Sequence, residues 1–289
     1  MKKVLFATTA LIATAGVASA DIALSGAARM GVTHTDANPS TDADTQFTSR
    51  VRITGSGSTT TDGGIVLGAS LRFDQSGQGN TANNDSTVYA SGAFGKITFG
   101  DVGGAHESAT GDVAAVGFTE AGGSQAFGYL STAKTAVGYS YSVDGLSLYA
   151  AMGQTQADSN DQLTSFGVSY TFNGVTVAAG TAEAGNVEDT SFAVAATVAG
   201  LGLKAVYLDK SGSSVDNETG VSATYTMNGV TMTAFTRAVD NVSTADLDYT
   251  GVGLSYALGG GATLAAGYVD GGADGLNLDT WDLGINFSF

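Results

Sequence analysis

A polar/apolar alternation that ends in a tyrosine, turns on two small or polar residues and starts again recurs four times in this chain. The copies are SYSVDGLS at 140–147, SYTFNGVT at 169–176, TYTMNGVT at 224–231 and SYALGGGAT at 255–263. Asp-Gly, Asn-Gly and Gly-Gly tolerate positive φ at both turn positions, as a two-residue hairpin requires. The tyrosines Tyr141, Tyr170, Tyr225 and Tyr256 are 29, 55 and 31 residues apart, and a weaker copy, AATVAGLGL at 195–203, fills the double interval. One hairpin every ~28 residues holds two strands of about ten residues, a tight turn and a longer loop, the repeating module of a transmembrane β-barrel.

Residues 1–20 are read separately. Lys2 and Lys3 form a basic start, Val4 to Val17 an apolar run and Ala18-Ser19-Ala20 a small-residue cleavage site, the pattern of a secretory signal peptide. The exported chain is then expected to begin at Asp21, with residues 21–289 forming one domain. The absence of cysteine excludes a disulfide framework and thiolate metal sites. A net charge of −16 argues against nucleic acid as a partner, since phosphate binding needs clustered Lys and Arg. With 42 glycines and one proline, the chain suits long paired strands better than helices.

Strand parity can be read directly. In 21–35, Ile22, Leu24, Met30 and Val32 oppose Ser25, Arg29 and Thr33; in 45–58, Phe47, Val51 and Ile53 oppose Thr48, Arg50, Arg52 and Thr54. At the end of the chain, Trp281, Leu283, Ile285, Phe287 and Phe289 oppose Asp282, Gly284, Asn286 and Ser288. The polar faces are mostly Gly, Ser, Thr and Ala, too small to fill a core but suited to line water. Lipid outside and water inside explains both faces, and closure satisfies every backbone group in a bilayer. Sixteen strands are expected from 21–35 to 279–289, with a turn at Phe94-Gly95 inside 86–101 and a strand over 128–142. Acids such as Glu188, Asp189, Asp216, Glu218, Asp42, Asp158, Asp161 and Asp274 are assigned to the connections between hairpins. Aromatics just before the tight turns (Tyr139, Tyr141, Tyr170, Phe172, Tyr225, Tyr256) suit an interfacial girdle.

Several residues share the inward parity and carry positive charge. Arg29, Arg50, Arg52 and Arg72 fall on three consecutive strands, and hairpin arithmetic brings them into one ladder on the wall, with about 5 Å between neighbours. Lys96, Lys134 and Lys204 add a dispersed inward set. Catalytic patterns are lacking. His106 followed by Glu107 and Ser108 on a glycine-rich stretch is a coincidence of composition, and no phosphate-binding GxxxxGK[ST] occurs. No enzyme activity and no cofactor are expected. The acidic connections lack EF-hand spacing, but their hard oxygen donors would suit loose Ca²⁺ binding.

The MKK…ASA leader, VYASGAFGKITFGD at 88–101 before one long connection, and the terminal WDLGINFSF ending in Phe289 resemble the Gram-negative general diffusion porins, above all the alphaproteobacterial type. That resemblance spans the whole chain. It implies a sixteen-stranded all-β barrel in the outer membrane, a homotrimer, and one loop folded into the lumen, for which 102–125 is the candidate. Glu107, Asp112 and Glu120 on that loop would oppose the four arginines in a constriction. The resemblance further implies that the Asp21 amine pairs with the Phe289 carboxylate to close the barrel. It also implies that the last strand is read by the outer-membrane assembly machinery, and that the outside meets lipid and lipopolysaccharide. The expected function is passive diffusion of ions and small hydrophilic solutes. A substrate-specific channel would show aromatic rails and a denser basic track. An adhesive or structural barrel would have a plugged lumen without paired charges.

Overall fold

A computed structural model describes residues 21–36, 44–76, 82–131, 136–154, 162–273 and 276–289. The expected leader over 1–20, with Lys134, Asp42, Asp158, Asp161 and Asp274, lies outside these residues. The strands are β1 Asp21–Thr35, β2 Asp44–Thr60, β3 Val66–Ser76, β4 Ala82–Gly92, β5 Gly95–Gly100, β6 Ala136–Val143, β7 Leu146–Met152, β8 Thr164–Phe172 and β9 Val175–Ala184. They continue with β10 Val187–Val198, β11 Leu201–Ser211, β12 Val215–Met227, β13 Val230–Asn241, β14 Leu247–Gly259, β15 Ala262–Ala273, the two-residue β16 Leu276–Asn277, and β17 Thr280–Ser288. Each strand pairs antiparallel with the next, and β17 pairs with both β15 and β1. With β16 only a short extension on β15, the result is a closed barrel of sixteen strands.

The hairpin turns form as their residues dictate. Asp144 and Gly145 have φ of 47° and 82°, Asn173 and Gly174 48° and 78°, and Asn228 and Gly229 52° and 81°. Both central φ values are positive, so the turn twists with its strands instead of splaying them. Even the weak copy obeys: Ala199 is held at 51° beside Gly200 at 82°.

One barrel face is a continuous apolar band. Phe47 is 94 % exposed, and Val88, Phe166, Phe192, Val252 and Leu283 stand out beside it. The opposite face carries the polar parity, but small polar residues do not line all of it. Ala193, Val206, Leu208, Phe235 and Val269 point inward from β10, β11, β13 and β15 and pack on Val113, Val116 and Phe127 of the long connection after β5. That side of the interior is a dry core rather than a water-lined wall.

Three expectations need correction. The strand expected over 128–142 begins at Ala136. Gly128 and Leu130 instead donate their backbone N–H groups to Glu218 and Asp189, so the connection after β5 runs well past residue 125. Glu188, Asp189, Asp216 and Glu218 are not loop acids: they sit inside β10 and β12, with Asp189 and Glu218 buried on the inner face. Barrel closure does not join Asp21 to Phe289. Phe289 exchanges backbone bonds with Gly26, N to O 2.9 Å and O to N 2.8 Å, while Asp21 lies opposite Ser58 of β2. Closing a barrel staggers its strands, so chain ends need not meet. Gly26 fits this register because a Cβ there would lie 2.3 Å from the Phe289 ring.

The ring of Phe289 also packs near Phe287, 6.1 Å between centroids. Phe289→Asp would put a carboxylate on this outward seam, where charge is costly. The heat-modifiable folded band on a gel is expected to drop severalfold. A wild-type yield would show that the seam does not need its aromatic end.

Candidate functional site

The long connection leaves β5 at Gly100, whose φ of 116° lets the chain turn under Ser86; the Asp101 N–H then donates to the Ser86 carbonyl at 2.9 Å. It forms a short helix, α1 (Ala105–Thr110), and a 3₁₀ turn at Ala121–Gly123. Its anchors span from β8 to β17 and reach Gly31 of β1, which places it inside the barrel. Glycines on the wall make the approach possible. A Cβ on Gly180 of β9 would lie 2.5 Å from the Cα of His106, and one on Gly267 of β15 would lie 2.5 Å from the Gly117 nitrogen. Real side chains at these two positions would push the loop off the wall.

Three wall carboxylates hold the loop. Asp282 of β17, 1 % exposed, accepts from Phe118 N at 3.0 Å, Thr119 N at 2.7 Å, Thr119 Oγ1 at 2.5 Å and Ala121 N at 3.3 Å. Glu218 of β12 accepts from Gly128 N at 3.1 Å and from Arg237 Nη2 at 2.7 Å, and Arg237 Nη1 donates to the Ser124 carbonyl at 3.2 Å. Asp189 of β10 accepts from Leu130 N at 2.7 Å and from Lys210 Nζ at 3.1 Å. Lys210 also donates to the Gly128 carbonyl. His106, fully buried, lies 3.5 Å from Asp189 and edge-on to Tyr129. Ser108 donates its hydroxyl to the Gly104 carbonyl instead of facing His106. Among the described residues, no cluster of three or more His, Cys, Asp or Glu could hold a metal ion.

The four arginines do share one wall. Arg29 pairs directly with Arg50 across β1–β2, and Arg52 faces Asp74 across β2–β3. Arg52 makes a two-pronged bond to Asp74, Nε to Oδ1 2.9 Å and Nη2 to Oδ2 2.8 Å. Arg72 lies 3.3 Å from the same carboxylate and pairs with Asp85. The nearest counter-charges are therefore on the wall itself, while Glu107, Asp112 and Glu120 make no ion pair with these arginines among the described residues. Glu107 is half-buried on α1, and Glu120 is exposed beside Gln125, whose Nε2 donates to it at 3.4 Å. Asp112 accepts from Phe127 N at 2.9 Å. Burial raises the Glu107 carboxyl above its ordinary value, and the nearby Asp112 charge adds to the rise. Burial likewise raises Asp112, against the opposing pull of the Phe127 N–H and the Lys204 and Arg237 charges. Both acids lose their charge before ordinary carboxylates do as pH falls.

Sequence reasoning missed Asp74, Asp189, Lys210, Glu218 and Arg237, and gave Asp282 no role beyond its parity. All six share the inward parity of their strands. A charged residue at an inward position of a chain this poor in charge was the available signal.

The family profile of the Gram-negative porins matches residues 7–276. A porin of Rhodobacter capsulatus is 31% identical over 310 aligned positions, which cover 93% of this chain and 100% of the relative. A solved structure of a porin refined at 1.8 Å resolution superimposes with a TM-score of 0.79 at 28% identity, covering 93% of this chain and 100% of that one. A mutant of the Rh. blastica porin superimposes at 0.77 with 20% identity and the same coverage, a likeness of fold.

Proposed function

The chain belongs to the Gram-negative porin family and is a channel-forming barrel of the outer membrane, and from that premise we propose that it passes ions and small hydrophilic solutes by passive diffusion. The observation that carries the reading is the division of the interior. The loop is pinned to the inner faces of β8–β17, while an arginine-bearing wall stands on β1–β3. Glu107, Asp112 and Glu120 of the loop and Arg29, Arg50, Arg52 and Arg72 of the wall then border one water column. Their opposed charges set a transverse field that orients dipolar solutes and penalises apolar ones. Lys210 and Arg237 are taken up by Asp189 and Glu218, so they add nothing to a basic track of the kind a substrate-specific channel would use. The working form is a homotrimer, as in the family. Its apolar band meets lipid and lipopolysaccharide, and its last strand is presented to the outer-membrane assembly machinery.

Planar-bilayer recordings in a salt gradient test this reading. Arg50→Ala with Arg52→Ala should raise conductance and shift the reversal potential toward cations, because Asp74 loses its two-pronged partner. Glu107→Gln with Glu120→Gln should shift it toward anions. Lowering the pH should move the wild type the same way, beginning above the ordinary carboxylate range because Glu107 and Asp112 are raised. Unchanged reversal potentials in both double variants would place these charges away from the conducting path.

A further inference from the structure

The four arginines are not equivalent. Arg52 and Arg72 share Asp74, and Arg72 has Asp85 as well. Arg29 and Arg50 stand directly opposite each other, and among the described residues no carboxylate lies within ion-pairing distance of either. Their neighbours along the same row are uncharged: Asn286 beside Arg29 and Ser76 beside Arg50. Each Nε–H is shielded from solvent and has no hydrogen-bond acceptor. Two guanidinium groups on directly paired residues, about 5 Å apart at Cβ, repel each other and leave donors unfilled. Four positive charges against two wall carboxylates leave two in excess, and the excess is located at this pair.

We propose that Arg29 and Arg50 form a binding step for a tetrahedral dianionic oxyanion, either inorganic phosphate or the phosphate group of a phosphomonoester. The proposal rests on the channel reading and deepens it. Two guanidinium forks can each offer parallel N–H donors to phosphate oxygens. A dianion neutralises both excess charges, a monocarboxylate only one, and a halide cannot use the fork geometry. Compensated Arg52 and Arg72 would then hold the rest of the wall in place without binding the anion themselves.

The test is block of chloride current through the reconstituted protein at neutral pH by inorganic phosphate, glycerol phosphate and acetate, alongside calorimetric titration of the detergent-solubilised protein with phosphate. Phosphate should half-block at a concentration about tenfold below that of acetate, the scale of one charge-assisted hydrogen bond. Arg29→Gln and Arg50→Gln should each raise that concentration about tenfold. Arg52→Gln with Asp74→Asn removes a compensated pair without changing net charge and should leave it within about threefold. If that variant does not form channels, Arg72→Gln with Asp85→Asn makes the same charge-balanced change.

Block by glycerol phosphate as well as phosphate assigns the site to the phosphate group of larger solutes too; block by phosphate alone assigns it to the free ion. Phosphate no better than acetate, or equal loss in the charge-balanced variant and in Arg29→Gln, would overturn the proposal. A protein that binds phosphate in the calorimeter but conducts nothing would overturn the channel reading and leave the site standing.

Discussion

Asp282→Ala is expected to free the tip of the internal loop and to raise single-channel conductance markedly, with added current noise. The Asp282 carboxylate accepts three backbone N–H groups and the Thr119 hydroxyl. Alanine would leave these donors without a partner in a buried place, and each such donor costs about 1–3 kcal/mol. The docked tip cannot absorb that loss. Its apolar contacts, Val116 and Ala121 in the buried cluster and the Phe118 ring over Gly31 and Gly284, are outweighed by three unfilled N–H groups and a hydroxyl, so the segment undocks and hydrates. Asp282→Asn, which keeps one acceptor oxygen and the shape, should fall between the two. The strand pairs of β17 use backbone groups that the substitution does not touch, so the folded band on a gel should persist. Wild-type conductance with low noise would show that Asp282 does not hold the loop.

Arg237→Met should be the more damaging of two related changes at the loop's return. Glu218 is 2 % exposed, and its paired cation is Arg237. Arg237 also grips the Ser124 carbonyl and lies over the rings of Phe127 and Tyr249 at 5.5 and 5.4 Å. Removing one partner of a buried pair typically costs about 3–5 kcal/mol, because the other charge is stranded. Replacing both partners by neutral groups of similar volume costs far less. Arg237→Met alone should therefore make the 124–130 segment sensitive to protease, while Arg237→Met with Glu218→Gln should recover most of the protection. Equal sensitivity in the two variants would mean that the pair is not the anchor.

The hairpins were legible because a two-residue turn admits few residue types, and Asp144-Gly145, Asn173-Gly174 and Asn228-Gly229 display them openly. Parity was legible wherever lipid demands an apolar face. It gave the arginine wall, but the exact register, Arg29 opposite Arg50 and Arg52 opposite Asp74, came only with the structure. Facts that depend on a distant segment were not legible. Residues 128–131 alternate like a strand, yet their N–H groups find Glu218 and Asp189 far along the chain. Those two acids look like loop residues because acids near a strand end ordinarily face water. The closure register was hidden for a different reason: stagger belongs to the whole ring of strands, and no local pattern in Asp21 or Phe289 encodes it. Asp74 escaped notice because it lies two residues from Arg72 on one strand and opposite Arg52 on the next.

The loop tip is fastened to β17, the strand that also seals the ring against β1. Sealing and calibration therefore share one element and one moment. Until the final nine residues of β17 are seated, the ring is open and the tip has nothing to grip; once they are seated, leak and wide bore end together. Changing the aperture through Asp282 means altering the strand that closes the ring against β1. Variation in bore is freer on β2, where Arg50 and Arg52 can change without touching the seam between β1 and β17.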